Sequence, residues 1–370
     1  MSGHAAFAAR GTDRILAALV STRKRPDTRC DNQPSTPAIS VRLRPFAPPA
    51  HDTEYLAVIV TPVFEDRTAS ARLFRELSSL FGHAVHVVAV DDGSVREPLT
   101  IDDLRRSGVC GTLLTLKRNE GHQRAIATGL QFAVGRFSAR TSHFVVMDSD
   151  GEDLPQSIAP LLHRLAAADI DVAVAQRRSR VETRRFRAFY AVYKRLFRLL
   201  SGREISFGNF IALKPDAARK IVGMPEAWIH FAASILASRL RVAFCPLDRG
   251  PRYAGRSKLN FVGLALHGFR GLMVFAEDVL VRVGIACASV AGLAIAGMVT
   301  AVALKVAGLA TPGWFSVALG ILLLVFLQTG TLTLTMLMQT GLIRGARSTP
   351  VRYQELVAAI VATHDASCEA

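Results

Sequence analysis

Two long uncharged runs near the C-terminus constrain the fold of this chain more than any other feature. Val283–Leu304 is 22 residues long and Phe315–Ile343 is 29, and neither contains a charged residue. At about 1.5 Å per residue, a helix of either length crosses a hydrocarbon core of roughly 30 Å. The link 305–314 contains Gly-Leu-Ala-Thr-Pro-Gly, which indicates a tight turn. The pattern predicts a two-helix transmembrane hairpin over 283–343, with a pair of buried core helices as the alternative.

Basic residues flank the predicted hairpin on both outer sides. The flanking arginines are Arg270, Arg282, Arg344, Arg347 and Arg352. Because short loops rich in Lys and Arg stay on the cytoplasmic side of a membrane, we expect both ends of the hairpin to be cytoplasmic. The chain would then be a multi-pass protein of the cytoplasmic (inner) membrane. It would have a juxtamembrane helix at 261–282, a tail at 344–370 and both termini in the cytoplasm.

The charge balance and the N-terminal segment add two weaker constraints. Net charge is +15 at pH 7, which predicts an anionic partner: nucleic acid, acidic lipid or a phosphorylated substrate. Residues 1–54 carry scattered Pro, Ser and Arg with little periodicity. That composition predicts a disordered, basic leader.

Between residue 55 and about residue 260, short apolar runs alternate with stretches of helical periodicity. The predicted strands are Tyr55–Val60, Val85–Val90, Thr112–Leu116, Phe144–Met147 and Val172–Ala175. The predicted helices are Ala69–Phe81, His122–Val134 and Pro155–Ala168. Buried strands that alternate with helices indicate an α/β fold with a mostly parallel, doubly wound sheet. Such sheets bind ligands at the carboxyl ends of their strands, so the candidate site lies there.

Four of the predicted strands end in polar clusters. The clusters are Thr61–Asp66, Asp91–Ser94, Asn119–His122 and Asp148–Asp153. Carboxylates that follow a buried strand are costly unless they meet a cation or hydrogen-bond donors. Asp148 and Asp150 are separated by one residue, so on a turn both can reach one hard divalent ion such as Mg²⁺. A lone D-x-D also suits a plain turn, and it is the register with three other strand-end clusters that favours a metal site.

These clusters, in this order, resemble the motifs of family 2 glycosyltransferases of GT-A architecture. Thr61–Asp66 resembles the P-V-Y-N-E opening loop, with Glu in place of Asn and Asp in place of Glu. Asp91–Ser94 matches D-D-G-S, and the segment from Asn119 resembles N-x-G-x-x-x-A. Met147–Pro155 stands where the family has M-D-A-D-L-Q-D-P-P. The resemblance implies a GT-A nucleotide-sugar-binding domain over 55–260.

The resemblance also implies roles for individual residues. Those expected to contact the nucleotide sugar are Pro62, Phe64, Asp66, Asp91, Asp92, Asn119, Gly121 and Asp148. Asp148 and Asp150 would hold a divalent metal, Mg or Mn, together with the diphosphate. Glu152 stands where the family has Gln and is the third expected metal ligand.

A later motif points to one branch of the family. Arg252–Lys258 matches R-x-x-G-x-S-K, which precedes the membrane segment in enzymes similar to dolichol-phosphate mannosyltransferases and bacterial polyprenyl-phosphate glycosyltransferases. Arg, Ser and Lys suit phosphate capture through charge-assisted hydrogen bonds. The processive-synthase signature Q-x-x-R-W does not occur in the sequence, which favours an enzyme that adds a single sugar.

Arginines crowd the segment after the fifth predicted strand, and six lie between Gln176 and Arg187. The apolar side chains that then share one helical face are Phe189, Tyr190, Tyr193, Leu196, Phe197 and Leu200. A basic amphipathic region over 177–200 suits a membrane interface. A solvated basic face is the alternative, and the adjacent spans argue against nucleic acid. By resemblance, the residues expected to bind a lipid phosphate are Arg177, Arg184, Arg252, Ser257 and Lys258.

The expected activity is metal-dependent transfer of a sugar from a nucleotide-diphosphate sugar to a polyprenyl phosphate, with inversion implied by the family. A phosphate monoester is largely a dianion at neutral pH, so this acceptor needs no protein base. Asp150 and Arg177 are therefore the expected catalytic residues, acting through the metal and through positioning of the lipid phosphate. The related enzymes assemble through their membrane helices, which makes a homo-oligomer possible.

Three other activities stay open at this point. The domain could glycosylate a hydroxyl acceptor such as diacylglycerol, which needs a general base, and residues 204–216 offer only Glu204 and Asp216. The protein could be a non-catalytic binder of nucleotide sugar, although intact Asp148 and Asp150 argue against decay. A transporter is the third possibility, but two spans with few polar residues make a poor pathway.

Overall fold

In the computed structural model, the alternating apolar runs form one eight-stranded sheet. Its strands are β1 Ala57–Val63, β2 Val85–Asp91, β3 Cys110–Leu116, β4 Phe144–Val146, β5 Val172–Arg177, β6 Ile211–Leu213, β7 Val242–Leu247 and β8 Val357–Ala362. Their order across the sheet is β7-β5-β6-β4-β1-β2-β3-β8. Pairs β1–β2, β1–β4, β2–β3 and β5–β7 are parallel, whereas β6 and β8 pair antiparallel with their neighbours. The expected mostly parallel α/β fold is confirmed.

The structure describes residues 55–167, 169–177, 194–204, 207–254, 261–309, 311, 313–346 and 351–363. These residues fall into two compact units. The catalytic unit, as we call the first, contains the described residues of 55–177, 207–254 and 351–363. The helical unit contains those of 194–204 and 261–346. The predicted leader 1–54 lies outside the described residues.

Helices cover both faces of the sheet in the catalytic unit. They are α1 Arg67–Phe81, α2 Ile101–Ser107, α3 His122–Phe137, α4 Ile158–Leu165, α5 Pro215–Val222 and α6 Phe231–Ala237. Every residue of β1 and β2 is buried, because the side chains that alternate along each strand enter one of two apolar clusters. One cluster contains Leu73, Phe74 and Leu77 of α1 with residues of α2 and α4. The other contains Ile126 and Leu130 of α3 with residues of α5 and α6.

Strand β8 differs from what the sequence predicts for the segment 344–370. This strand follows the last long helix and pairs antiparallel with β3, where Thr112 lies opposite Ala362 and Leu114 opposite Ile360. A short helix, α10 Tyr353–Leu356, precedes it. Its Val-Ala-Ala-Ile-Val-Ala sequence suits a strand, and pairing covers backbone groups at the edge of β3 that would otherwise be unpaired. Part of the expected tail is therefore an element of the catalytic sheet.

The helical unit contains three further helices, α7 Phe261–Met273, α8 Ala276–Val306 and α9 Trp314–Ala346. By length and composition, α8 and the part of α9 from Trp314 to Thr340 are long and apolar enough to cross a membrane. They pack closely, since a Cβ on Gly297 of α8 would lie 3.1 Å from a methyl carbon of Leu322 on α9. The two uncharged runs lie within these helices, and membrane crossing stays a prediction.

The described end of the basic region is also helical. Residues 194–201 form a helix on which Leu196 and Leu199 are exposed, whereas Phe197 is buried. The Phe197 ring packs edge-on against Phe275, with ring centroids 6.0 Å apart. Exposed leucines beside basic residues fit the expected interface region, whose first part, 178–193, lies outside the described residues.

Candidate active site

The sheet order brings the four strand-end clusters to one edge. Strands β4, β1, β2 and β3 are consecutive and parallel, so their carboxyl ends lie side by side. Backbone hydrogen bonds continue this alignment beyond the ends of β2 and β4. The amide of Asp92 donates to the carbonyl of Val63 at 2.8 Å, and the amide of Met147 donates to the carbonyl of Val60 at 3.1 Å. Loops that are far apart in the sequence thus meet at the position where parallel sheets bind ligands.

Glu65 ties the loop after β1 to the loop after β2. Its carboxylate accepts hydrogen bonds of 2.8 to 3.1 Å from the backbone amides of Val95, Arg96 and Glu97. These bonds lower the pKa of Glu65. The residue also has a φ of +47°, a conformation that non-glycine residues rarely adopt. Glu65 is therefore a loop anchor, a role that the sequence comparison alone does not reveal.

Asp91 and Asp92 shape the walls of the site through backbone contacts. Both oxygens of the buried Asp91 are used, one by the amide of Ser94 and one by the amide of Leu99, each at 3.0 Å. Asp92 accepts from the amides of Glu120 at 2.8 Å and Gly121 at 3.0 Å. Burial raises the pKa of Asp92 to about 6. Their expected contacts to the nucleotide stay predictions.

Gly93 allows the loops after β2 and β3 to touch. Its φ is +68°, and a Cβ there would lie 2.5 Å from the carbonyl carbon of Arg118. The D-D-G sequence therefore requires glycine both for conformation and for space. This contact sets Asn119 and Gly121 against Asp92, so three of the residues expected at the nucleotide site lie together.

The Asp148–Asp153 turn follows β4 and supplies the carboxylates of the site. The amide of Asp148 donates to Asp153 at 3.0 Å, and the amide of Glu152 donates to Asp150 at 2.9 Å. Burial, and then the charge of Asp148, raise the pKa of Asp150. The shift indicates that the two expected metal ligands lie close enough to repel each other.

Two arginines from the loop after β7 form ion pairs with three of the four carboxylates of this turn. Arg252 Nη2 lies 2.6 Å from Asp150 Oδ2, and its Nε lies 2.9 Å from Glu152 Oε1. Arg249 pairs with Glu152, and its Nη2 lies 3.5 Å from Asp153. Arg252, the first residue of the late basic motif, thus lies in the same site as the D-x-D sequence, whereas residues 255–258 of that motif lie outside the described residues. Arg249 is a site residue that the sequence comparison missed, although it stands only three residues before Arg252.

His122, the first residue of α3, connects the turn to a further strand end. Its Nε2 lies 3.2 Å from Asp148 Oδ1 and 3.0 Å from the side-chain nitrogen of Asn209. Desolvation opposes protonation, but the charges of Asp148, then Asp150 and Asp92, raise the pKa of His122. The His122 ring therefore interacts electrostatically with carboxylates of two loops, the one after β2 and the one after β4. The sequence alone suggests only an ordinary polar histidine here.

The structure describes the expected lipid-phosphate ligands other than Arg252 only in part. Arg177 is the last residue of β5, where its backbone lies opposite Leu247 of β7. The expected lipid-phosphate ligands Arg184, Ser257 and Lys258 lie outside the described residues. A small pocket beside these strand ends is lined by, among others, Glu152, Asp153, Gln176, Asp248 and Arg249. Asp248 is a carboxylate that the sequence comparison overlooked, because it lies after residues 204–216.

Asp148 and Asp150 fit a divalent metal bound mainly through its substrate. Among the described residues, no three His, Cys, Asp or Glu side chains are grouped so that they alone could hold a metal ion. Mg²⁺ is commonly bound by one or two carboxylates, with water and substrate phosphates completing its shell. Glu152 pairs with two arginines here, so its role as a third ligand stays a prediction. When bound, the metal would neutralise charge on a diphosphate.

Comparisons with known proteins agree with this arrangement. Residues 58–214 match the family model described as Glycosyl transferase family 2. No curated protein sequence matches the chain. The matched residues include all four strand-end clusters, all of β1 except Ala57, and β2 to β6.

Solved structures of low sequence identity are similar in part. Glucosyl-3-phosphoglycerate synthase from Mycobacterium tuberculosis, in complex with Mn²⁺, UDP-glucose and phosphoglyceric acid, is 17% identical over 64% of this chain and 86% of that chain, with a TM-score of 0.45. A mannosyltransferase from Pyrobaculum calidifontis, in complex with GDP-Man and Mn²⁺, is 15% identical over 89% of this chain and 96% of that chain, with a TM-score of 0.40. Residues 58–214 thus match the glycosyl transferase family 2 model and form part of a GT-A-like α/β domain with a mostly parallel mixed sheet.

Proposed function

We propose that this protein transfers a sugar from a nucleotide-diphosphate sugar to a polyprenyl phosphate at the cytoplasmic face of the membrane, with Mg²⁺ or Mn²⁺. The observation that carries the proposal is the convergence of two strand-end loops on one segment of the matched domain. Asp92 accepts from the amide of Gly121, and Asp148, in the turn that also contains Asp150, lies 3.2 Å from the next residue, His122. In the chain, that domain is followed by two helices long and apolar enough to cross a membrane.

The donor side of the proposal rests on the strand-end clusters. A nucleotide sugar presents an aromatic base, a ribose and a diphosphate, and the clusters offer matching chemistry at one edge. Asp148 and Asp150 would hold the metal and the diphosphate, while Phe64, Asp66 and Asn119 stand at motif positions for the nucleoside. In a metal-assisted transfer the ion stabilises the departing nucleoside diphosphate.

The acceptor side rests on the basic residues around the late motif. A lipid phosphate is an anion, and the basic residues Arg177, Arg184, Arg252 and Lys258, together with Ser257, are suited to hold it by charge-assisted hydrogen bonds. Arg252 already lies at the candidate metal ligands, so a phosphate bound there would be adjacent to the sugar. Because the phosphate is a dianion at neutral pH, positioning suffices and no base is required. Inversion at the anomeric carbon is part of the same proposal.

Asp248 favours a second candidate, transfer to a hydroxyl of a neutral lipid such as diacylglycerol. A hydroxyl acceptor needs a general base within hydrogen-bond reach. Asp248 follows β7 directly and lines the small pocket with Gln176 and Glu152. That placement supplies a carboxylate near the donor site, whereas Glu204 pairs with Lys194 and Arg198 in the helical unit.

The membrane part of the proposal is supported by the connection between α9 and β8. Helix α9 ends at Ala346 and α10 begins at Tyr353, and β8 then joins the sheet that contains the site. If α8 and α9 both cross the membrane, the two ends of the hairpin must lie on the side of the catalytic unit. We also propose that copies of the chain associate through these helices.

Product analysis with a panel of donors and acceptors tests the proposal. Membranes containing the wild-type protein or Asp150→Asn would be given radiolabelled UDP- and GDP-sugars together with polyprenyl phosphate, free polyprenol or diacylglycerol. We expect one donor to label the phosphate lipid only, and Asp150→Asn to label nothing. Labelling of a neutral lipid, abolished by Asp248→Asn, would favour the second candidate instead. No labelled lipid from any donor would contradict both.

A further inference from the structure

The segment after β7 runs along the Asp148–Asp153 turn and donates hydrogen bonds to its backbone. The amide of Tyr253 donates to the carbonyl of Asp150 at 2.8 Å, and the amide of Gly250 donates to the carbonyl of Glu152 at 3.0 Å. These two bonds fix the path of the turn on both sides of Gly151. The turn is therefore supported by residues about a hundred positions later in the chain, in addition to its own hydrogen bonds.

The Tyr253 ring packs directly on Gly151. Gly151 has a φ of +89°, and a Cβ there would lie 2.5 Å from Cγ of Tyr253 and 2.6 Å from each of its two Cδ atoms. Three nearly equal distances mean that the ring presents its face to the glycine. The ring thus occupies the space that any side chain at residue 151 would need, and it covers the one position of the turn where glycine gives the backbone most freedom.

The far end of Tyr253 is anchored to α1. Its hydroxyl donates to Glu76 Oε2 at 2.6 Å, while Glu76 Oε1 accepts from Arg72 Nε at 3.0 Å. The guanidinium carbon of Arg72 also lies 4.3 Å from the centroid of the Tyr253 ring, within the range of a cation–π contact. Both oxygens of Glu76 are thus used, and the tyrosine is held at its backbone, its ring and its hydroxyl.

We propose that Tyr253 is a positioning residue that holds Asp148 and Asp150 in the conformation that binds the divalent metal. The reason is electrostatic: two carboxylates one residue apart repel each other, so the turn between them needs external support to keep both directed at one ion. The inference rests on the proposed function, because it takes Asp148 and Asp150 as the metal ligands. Tyr253 acts through its contacts with Gly151 and Asp150.

Mn²⁺ binding to the full-length protein in detergent tests the proposal. Free Mn²⁺ would be measured by electron paramagnetic resonance, with Mn²⁺ alone and then with UDP or GDP. We expect Tyr253→Ala to weaken Mn²⁺ binding tenfold or more and Tyr253→Phe, which keeps the ring, to weaken it two- to threefold. Glu76→Ala should weaken Mn²⁺ binding by the same factor as Tyr253→Phe. The double variant that combines Glu76→Ala with Tyr253→Phe should bind Mn²⁺ no more weakly than either single variant. Tyr353→Ala is the matched control, since Tyr353 packs against Phe132 and should leave Mn²⁺ affinity unchanged.

The outcomes separate this inference from the proposed function. Wild-type Mn²⁺ affinity in Tyr253→Ala would overturn the positioning role and leave the metal site standing. If Tyr253→Ala does not fold, wild-type affinity in both Tyr253→Phe and Glu76→Ala would overturn it equally. A wild-type protein that binds no Mn²⁺, with or without nucleotide, would overturn both. A rise in KM for the metal with unchanged kcat at saturating metal is the kinetic result that the positioning role predicts.

Discussion

The guanidinium of Arg252 lies 2.6 Å from the carboxylate of Asp150. These residues come from different motifs, one after β4 and the other after β7, so the pairing brings the acidic turn and the first residue of the late basic motif into one site. A cation at this distance stabilises the carboxylate and competes with any metal that Asp150 binds. Once a metal binds the Asp150 carboxylate, the same arginine becomes available to bind an anion.

Replacing Arg252 with glutamine should therefore tighten metal binding and slow transfer. Loss of a partly exposed competing charge is worth ~1 kcal/mol, or about three- to tenfold in Mn²⁺ affinity. Arg241→Gln is the matched control, since Arg241 pairs with Asp171 at the amino ends of β5 and β7, away from Asp150. Titration of Mn²⁺ followed by electron paramagnetic resonance measures both. Weaker binding in Arg252→Gln would mean that this arginine supports the metal site.

Metal removal should abolish activity reversibly. EDTA should stop transfer and added Mg²⁺ or Mn²⁺ should restore it, because the departing diphosphate has no other divalent partner in the proposed site. Asp148→Asn and Asp150→Asn should each lower the rate by about a thousandfold, the size of effect seen when a key electrostatic contact is lost. Asp102→Asn, an exposed carboxylate paired with Arg105 on α2, should change nothing. Full activity in EDTA would refute the metal-dependent mechanism.

Reporter fusions should place the C-terminus in the cytoplasm. Strand β8 pairs with β3 in the sheet that contains the site, and the donor proposed for that site is a cytosolic nucleotide sugar. A C-terminal alkaline phosphatase should be inactive and a C-terminal fluorescent protein bright. An active phosphatase fusion would show that the chain crosses the membrane an odd number of times between residue 254 and its C-terminus.

Deleting residues 351–370 should destabilise the catalytic unit itself. The deletion removes β8 together with contacts to the rest of the unit. The Gln131 side chain loses its hydrogen bonds to the backbone of Val351 and Tyr353, and the amide of Gly111 loses its bond to Thr363. An exposed β3 edge promotes aggregation. The thermal midpoint in detergent should fall by several degrees, in keeping with loss of about 2 kcal/mol or more. An unchanged midpoint would mean that β8 adds nothing to stability.

Stability should fall as the pH drops from about 6.5 to about 4, through His86. Burial, with a smaller effect of Arg140, lowers the pKa of His86 to about 4, and the ring packs against Tyr55 and Phe137. In the unfolded chain His86 takes up a proton near pH 6.5, whereas in the folded chain the ring stays neutral until about pH 4. The free energy of unfolding therefore falls by roughly 3 kcal/mol over this range.

Thermal midpoints from pH 7.5 to pH 4.5 measure the His86 effect. His86→Gln should flatten the dependence, because glutamine has no proton to gain and can still bond to Thr112, the present partner of the ring at 2.9 Å. The exposed His163, replaced by glutamine, is the control and should leave the slope as it is. Equal slopes for wild type and His86→Gln would contradict the assignment.

The parts of the site that the sequence predicts are those carried by local pattern. Buried strands are recognisable as Val- and Ile-rich runs, and a parallel sheet aligns their carboxyl ends, so the placement of Asp92 and the Asp148 turn at one edge of the sheet follows from the predicted fold. The apolar helices follow from their uncharged runs in the same way. The predicted α/β fold is confirmed for these reasons.

The parts that the sequence does not predict depend on long-range contacts. Strand β8 pairs with β3, from which it is separated by more than two hundred residues in the sequence. No local pattern in Val357–Ala362 indicates which strand it pairs with. The roles of Glu65, Arg249 and Tyr253 likewise arise from side chains meeting across loops. Arg252 was expected to bind only lipid phosphate, and its pairing with Asp150 appears only once the loop after β7 is placed.

The acceptor is the central claim, and mass spectrometry of the lipid product tests it most directly. The purified protein in liposomes would receive its donor sugar, Mn²⁺ and a defined polyprenyl phosphate, with free polyprenol and diacylglycerol in parallel. We expect the phosphate lipid to gain the mass of one sugar, with its phosphorus retained, and both neutral lipids to stay unmodified. Arg177→Ala should reduce that product ten- to a hundredfold, as for loss of a charge-assisted contact worth about 1.5–3 kcal/mol. A glycosylated neutral lipid beside an unmodified polyprenyl phosphate would contradict the account.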